Sequence, residues 1–152
     1  MTARRQLVGE LGVALQRYQR SVQLFDDTVG RALGLGPADL RCLDWLADGP
    51  KTAGMLATAT GLRPAATTAL VDRLSQKGLV ERVPSETDRR RVLVRMTEHG
   101  QRVTYGAYAP LVEEGQELFA HRPVAELAAM RDVLEQMREL TDRHRTRLAD
   151  GA

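Results

Sequence analysis

The sequence predicts a mainly α-helical chain that carries one two-stranded β-hairpin. Apolar residues recur at steps of three and four through most of the 152 residues, which is the period of an amphipathic helix. The pattern becomes strand-like at Val92-Leu93-Val94, directly after the polar run "SETDRRR" of residues 85–91. A hairpin whose tip carries three adjacent arginines explains both observations, and such a tip is suited to contact a polyanion.

The composition narrows the class of protein. Hydrophobic residues make up 43% of the chain and aromatic residues only 4%, which predicts a core of Leu, Val, Ala and Met. The single cysteine, Cys42, excludes an internal disulfide and a cysteine-rich zinc site. The polar N-terminus does not resemble a signal peptide, and no run approaches the roughly 18 apolar residues of a membrane span. We therefore expect a cytoplasmic protein without a membrane partner.

Charge is distributed unevenly along the chain. The formal net charge is +2, but eight basic and four acidic residues give the segment 63–95 a net charge of +4 and leave −2 for the rest. A basic centre in an otherwise acidic chain is typical of nucleic-acid binding. Chance clustering of surface arginines would give the same count, so charge alone leaves both interpretations open.

The first half of the chain predicts four helices. A long helix occupies residues 4–33, and Gly34-Leu35-Gly36-Pro37 ends it. A second helix runs from about Pro37 to Ala47 and stops at Asp48-Gly49-Pro50. Thr52 is the expected N-cap of a third helix, 53–60, which ends at Gly61. The fourth helix starts at Pro64 and ends before Gly78, with its inner face formed by Thr67, Leu70, Val71 and Leu74.

The hairpin and two further helices fill the second half. Residues 79–83 and 91–96 are the predicted strands, and 84–88 form the turn between them. Thr97 is the expected cap of the next helix. Residues 99–149 predict two helices, the first kinked at Pro110 and the second opened by Pro123.

This order of elements is that of a winged helix-turn-helix. A short helix, a glycine turn and a proline-started helix are followed by a hairpin, so the fourth helix would enter the major groove and the hairpin would reach an adjacent minor groove. The division predicted is an N-terminal dimerisation helix at 1–34, a DNA-binding lobe at 35–98 and C-terminal dimerisation helices at 99–152.

Residues 70–100, "LVDRLSQKGLVERVPSETDRRRVLVRMTEHG", resemble the signature of the MarR family of transcriptional regulators. The matching motifs are D-R-L at the end of the recognition helix, G-L-V-x-R into the first strand, D-x-R at Asp88-Arg89-Arg90, and hydrophobic-Thr-x-x-Gly at 96–100. Met96 stands where the family usually has leucine. The resemblance implies a homodimer that binds a pseudo-palindromic double-stranded operator and represses its own or a neighbouring promoter.

The resemblance also implies roles for individual residues. Arg90 would enter the minor groove, held by a charge-assisted bond from Asp88, and Arg73 would contact phosphate or brace the wing. If Thr67 faces the core, Arg63 and Thr68 are the side chains able to hydrogen-bond a base from the start of the recognition helix. The expected DNA-binding set is Arg63, Pro64, Ala65, Ala66, Thr68, Arg73, Asp88, Arg89, Arg90 and Arg91.

A small ligand is a further expectation from the resemblance, because members of the family often bind anionic aromatic molecules near the dimer helices. The aromatic candidates to line such a pocket are Tyr18, Phe25, Trp45, Tyr105 and Tyr108, although aromatic side chains on apolar stripes are more often plain core. We expect neither a cofactor nor a metal, since the three histidines lack the spacing of ligands.

Three other functions remain as alternatives. A protein-interaction module of the same fold that has lost sequence-specific DNA binding would suit the sparse polar groups at the start of the recognition helix. A thiol redox sensor would use Cys42, although a passive cysteine fits its neighbours better. An enzyme would need a convergent nucleophile and base, and no serine has an evident histidine partner, so we expect no catalytic activity.

Overall fold

The computed structural model describes residues 3–88 and 90–151, in which there are six α-helices and three short β-strands. Their bounds are α1 Ala3–Leu33, α2 Pro37–Ala47, β1 Lys51–Thr52, α3 Ala53–Thr60, α4 Pro64–Gln76, β2 Val80–Pro84, β3 Val92–Met96, α5 Glu98–Phe119 and α6 Val124–Asp150. The chain divides into two compact units, residues 1–107 and 108–152. The predicted helix–helix–helix–hairpin order is confirmed.

The core of the first unit lies where helices α2, α3 and α4 meet the sheet. Leucine and valine side chains dominate it, as the composition predicts, and Thr67 is also buried at the inner side of α4. The buried apolar residues are Leu35, Cys42, Leu43, Leu46, Leu56, Leu70, Val71, Leu74, Leu79, Val80, Val94 and Met96.

The predicted helix ends are confirmed at the helix-turn-helix. The Thr52 hydroxyl accepts a hydrogen bond from the N–H of Met55 at 3.2 Å and so caps α3. Gly61 and Gly78, which follow α3 and α4, have φ values of +69° and +70°, in the left-handed region that favours glycine. Pro64 occupies the first turn of α4. These local features fix where the recognition helix starts and stops.

The predicted two-stranded hairpin is confirmed as β2 and β3. The sheet has a third antiparallel strand that was not predicted, and its order is β1-β3-β2. β1 is only two residues long, and Lys51 and Thr52 pair with Val94 and Leu93. A two-residue strand has no periodicity to detect, and Thr52 also serves as the helix cap. Pro84, expected in the turn, is the last residue of β2, an edge strand on which a missing N–H is tolerated.

The start of α5 is clamped to the turn that precedes β2. The Thr97 hydroxyl donates to the carbonyl oxygen of Gly78 at 2.6 Å and accepts from the N–H of Gly100 at 2.9 Å. The Thr97 N–H donates to the carbonyl oxygen of Leu79 at 3.0 Å. A β-carbon at Gly100 would lie 2.1 Å from that same Leu79 oxygen, so the close approach requires glycine. The Thr-x-x-Gly motif is therefore a packing device.

The long helices bury little within this single chain. In α1, Val29 and Gly30 are the buried residues, while apolar side chains farther toward its N-terminus are exposed. In the second unit, no residue of α6 is buried, and its exposed apolar side chains include Met130, Leu134 and Leu140. None of the helices in the described residues is both long and apolar enough to cross a membrane.

Candidate nucleic-acid interface

Helix α4 presents a face of small side chains to solvent. Arg63, Pro64, Ala65, Ala66 and Thr68 are all exposed, as expected for a recognition helix. Ala69 is exposed as well, and at about 100° per residue it lies with Ala65 opposite the buried side. Ala69 was absent from the predicted set, and the four-residue step from Ala65 would have indicated it. A backbone with so little side chain on its outer face can approach a base edge closely.

The two threonines of this helix point in opposite directions. Thr67 is buried, and its hydroxyl donates to the carbonyl oxygen of Arg63 at 3.1 Å. Thr68 is exposed, and its hydroxyl donates to the carbonyl oxygen of Pro64 at 3.1 Å. Because a hydroxyl oxygen retains acceptor capacity after donating, Thr68 remains available to a base or phosphate. The inward orientation expected of Thr67 is confirmed.

Arg73 is bonded to helix α2. Its Nη2 donates to Oδ1 of Asp39, and the Arg73 side chain is 50% exposed whereas that of Asp39 is 5% exposed. The contact joins the recognition helix to α2 and does not involve the wing. The roles expected of Arg73 from the sequence are a phosphate contact and bracing of the wing. In the structure Arg73 braces α2 instead of the wing.

Asp88 organises the tip of the wing. Its Oδ1 accepts a hydrogen bond from the backbone N–H of Arg90 at 3.0 Å, and its Oδ2 lies 3.7 Å from Nε of Arg91. The charge-assisted bond expected between Asp88 and Arg90 thus involves the main chain of Arg90, and the guanidinium beside Asp88 is that of Arg91. Arg89, the third arginine of the predicted set, lies outside the described residues.

Ser85 closes the base of the tip. Its N–H donates to the carbonyl oxygen of Arg91 at 2.9 Å, and its hydroxyl accepts from the N–H of Asp88 at 3.3 Å. The Arg91 N–H donates to the Asp88 carbonyl oxygen at 2.9 Å, which completes a tight turn. Ser85 is buried and was not predicted as a structural residue, although Ser three residues before Asp is a common local turn pattern.

Several arginines of the basic segment 63–95 are neutralised by their own chain. In addition to Arg73 and Arg91, Arg82 pairs with Asp72 at 2.7 Å and Arg95 with Glu81 at 2.8 Å. Of the arginines that the structure describes in this segment, Arg63 and Arg90 have guanidiniums without an ion-pair partner, and both side chains are exposed. Lys77, at the end of α4, also has no ion-pair partner among the described residues, but it donates a hydrogen bond to the carbonyl oxygen of Gly34.

The aromatic candidates for a ligand pocket are mostly open to solvent. In the first unit, Tyr18, Trp45 and Tyr105 are 67%, 44% and 65% exposed, and Phe25 is partly buried. Tyr108, in the second unit, is also partly buried. A plain core role does not fit the three exposed rings, because core side chains are excluded from solvent.

Cys42 is completely buried in the core of the first unit. Burial, followed by the nearby negative charge of Asp39, raises the pKa of its thiol to about 11. Since the thiolate is the reactive form, this environment suppresses reaction with oxidants. These surroundings agree with the prediction from the sequence that Cys42 is a passive, unreactive residue.

Comparison with known sequences identifies the lobe that carries these features. The model of a family described as the MarR family matches residues 33–91. An uncharacterized HTH-type transcriptional regulator of Bacillus subtilis, YcgE, is 41% identical over 96 residues, which span 62% of this chain and 62% of that protein. A putative transcriptional regulatory protein for the hcr operon of Thauera aromatica is 28% identical over 133 residues, 86% of this chain and 80% of that protein.

Solved structures extend the likeness over most of the chain. A MarR family protein from Bacillus stearothermophilus aligns with a TM-score of 0.69 over 93% of this chain and 99% of its own, at 23% identity, which supports the fold. A MarR family transcriptional regulator from Silicibacter pomeroyi aligns with a TM-score of 0.64 at 26% identity, over 86% and 89% of the two chains. The winged-helix lobe thus matches the MarR family model at residues 33–91, and the chain is similar over most of its length to a MarR family transcriptional regulator.

Proposed function

We propose that the protein is a homodimeric repressor that binds a pseudo-palindromic operator at its own or a neighbouring promoter. The observation that carries the proposal is the placement of the two free arginines, Arg63 and Arg90. A winged helix contacts a duplex through the start of its recognition helix and through its wing tip. Within the described part of segment 63–95, these are the two positions where a guanidinium lacks an ion-pair partner.

Dimerisation follows from the exposed apolar faces of the long helices. In α1, Leu7, Leu11 and Leu24 are more than half exposed, and in α6 Leu134 and Leu148 are too. A stable protein usually buries so many large apolar side chains. Pairing with the long helices of a second copy of the chain is the simplest way to bury them. Two-fold symmetry then demands a two-fold site, with half-sites about one turn, or roughly 34 Å, apart.

The reading face supports recognition by shape as much as by base sequence. Ala65, Ala66 and Ala69 offer only methyl groups, which suit contact with thymine methyls. Arg90 at the wing tip suits a narrow minor groove, where the potential is most negative. The operator would therefore owe part of its specificity to groove width.

Release by a small aromatic or anionic ligand is part of this proposal. The exposed rings of Tyr18, Trp45 and Tyr105 support it, because stacking on such rings is an effective way to hold an aromatic molecule. A ligand would release DNA only if it binds one conformation of the dimer better than the other. The turn 48–50 and Pro110 are the segments at which we expect that change.

The direct test is selection of duplexes from a random pool with the purified protein, followed by footprinting. We expect enrichment of an inverted repeat whose half-sites are about one turn apart. A chain with both Arg63→Gln and Arg90→Gln is the control and should enrich nothing. Failure of the unmodified protein to enrich any sequence would favour a protein-interaction module of the same fold, and a footprint over one asymmetric half-site at saturation would contradict the symmetric dimer.

A further inference from the structure

Two side chains fasten the turn between α1 and α2 to the second half of α4. Arg73 donates to the carboxylate of Asp39 at 2.5 Å, and Nζ of Lys77 donates to the carbonyl oxygen of Gly34 at 3.1 Å. Arg73 and Lys77 are four residues apart, so they project from the same side of the helix. Together they form one seam between the recognition helix and the place where α1 enters the lobe.

The turn itself has a closely defined path. Gly34 has a φ of +65°, and the N–H of Leu35 donates to the carbonyl oxygen of Gly30 at 2.8 Å, which closes the end of α1. The side chain of Leu35 is buried in the core. A change in the position of α4 would therefore be transmitted to the end of α1 through this seam.

Asp39 explains why Arg73 stays in the seam. The carboxylate is almost fully buried, and its second oxygen accepts a hydrogen bond from the N–H of Gly36 at 2.9 Å. A buried carboxylate that loses its counter-charge is strongly disfavoured. If Arg73 swung out to a phosphate, Asp39 would be left in that state, so the ion pair and a phosphate contact compete for one guanidinium.

We propose that Arg73 and Lys77 are positioning residues that hold the recognition helix in a fixed orientation to α1. This rests on the proposed function, in which α1 belongs to the dimerisation surface. The seam then sets the separation of the two recognition helices and so the half-site spacing that the dimer accepts. Arg73 acts through α4 and does not neutralise a phosphate.

The two roles of Arg73 predict different results. A phosphate contact predicts that Arg73→Gln makes the slope of log K against log salt shallower by about 0.9 per subunit, while Asp39→Asn leaves affinity unchanged or raises it by freeing Arg73. A positioning role predicts that both substitutions weaken binding with the slope unchanged. It also predicts that the double variant binds the duplex about as tightly as the single variant with the lower affinity, because both substitutions disrupt the same contact.

The experiment measures binding of full-length variants to a duplex selected with the unmodified protein, across a range of salt. The variants are Arg73→Gln, Asp39→Asn, their combination and Lys77→Gln, and the same duplex with one base pair inserted between the half-sites is the second probe. We expect losses of about tenfold on the selected duplex for the Arg73 and Asp39 variants, within the range of coupled contacts. We also expect reduced discrimination against the inserted base pair, which mere loss of stability would not produce.

Arg82→Gln is the matched control, because it breaks an exposed ion pair between α4 and β2, away from the seam, and should leave spacing discrimination intact. If Asp39→Asn does not fold, Lys77→Gln decides by itself, since Lys77 is exposed and its loss should weaken discrimination at an unchanged slope. The inference would be overturned by a shallower salt slope for Arg73→Gln, or by full discrimination against the inserted base pair in the Arg73 and Lys77 variants. Either result would leave the proposed function standing. Failure to select any duplex would overturn the inference together with the proposed function.

Discussion

Among the arginines that the structure describes in the wing, Arg90 is the one whose guanidinium has no ion-pair partner. Arg90→Ala should weaken binding to the selected duplex by roughly 1–3 kcal/mol and make the salt slope shallower by about 0.9 per subunit. Arg91→Ala should cost less, because the guanidinium of Arg91 already lies beside Asp88. Titration by fluorescence anisotropy at several salt concentrations measures both. Equal losses for the two variants would mean that the wing tip is a diffuse positive patch.

Asp88 provides a test by sign. Simple charge counting predicts that Asp88→Ala tightens binding, because an acid near DNA repels it. The turn geometry predicts weaker binding, because the N–H of Arg90 loses its acceptor and the tip loses its shape. Asp88→Asn keeps an acceptor for that N–H and should lose less. The same anisotropy titration compares them, and tighter binding by the alanine variant would refute the ordering role.

Cys42 should make the protein less stable in alkali. Its pKa is raised to about 11 in the folded state from an ordinary 9.0, so the unfolded chain loses this proton first as the pH rises. The thiol therefore disfavours folding from about pH 9, and the effect is complete above about pH 11, with an upper magnitude on the order of 3 kcal/mol. Urea unfolding of the protein and of Cys42→Ala should differ increasingly over that window. A pH-independent difference would contradict the raised pKa.

At the scale of the element, two of the three glycines of helix α5, Gly100 and Gly106, are expected to respond in opposite ways to substitution by alanine. Gly100→Ala should lower the free energy of unfolding by about 1–3 kcal/mol or more, because the added carbon meets the carbonyl of Leu79. Gly106→Ala has open space around the added carbon and should raise stability by up to about 1 kcal/mol. Urea unfolding of both variants checks this. A neutral Gly100→Ala would mean that the clamp at the start of α5 can open without cost.

For the whole molecule, the exposed apolar helices predict that assembly and DNA binding are lost together. Deletion of residues 124–152 removes α6 and none of the proposed DNA contacts, yet it should abolish operator binding, because the two recognition helices lose their spacing. Sedimentation should show a dimer for the full chain and a monomer for the deletion. Removal of residues 149–152 alone is the control and should change neither. A folded full-length monomer at micromolar concentration would contradict the obligate dimer.

Local rules were sufficient to predict most of the helix-turn-helix. Thr52, Gly61, Pro64 and Gly78 act through the backbone of their own helix ends, so their roles can be read from neighbours in sequence. The alternation of Val92, Val94 and Met96 likewise predicted the strand of the wing. These features depend on interactions within a few residues, which is why pattern alone determined them.

Only the tertiary structure decided which charges are free. Arg73 and Arg90 look alike in sequence, but Asp39 lies 34 positions from Arg73 and meets it only after α2 and α4 pack together. The strand at Lys51–Thr52 and the need for glycine at Gly100 also come from segments far apart in the chain. The sequence alone determined the helices, the wing and the sign of the charge near the wing. Packing determined which of the described arginines near the wing form ion pairs, because an ion pair between distant residues leaves no local pattern.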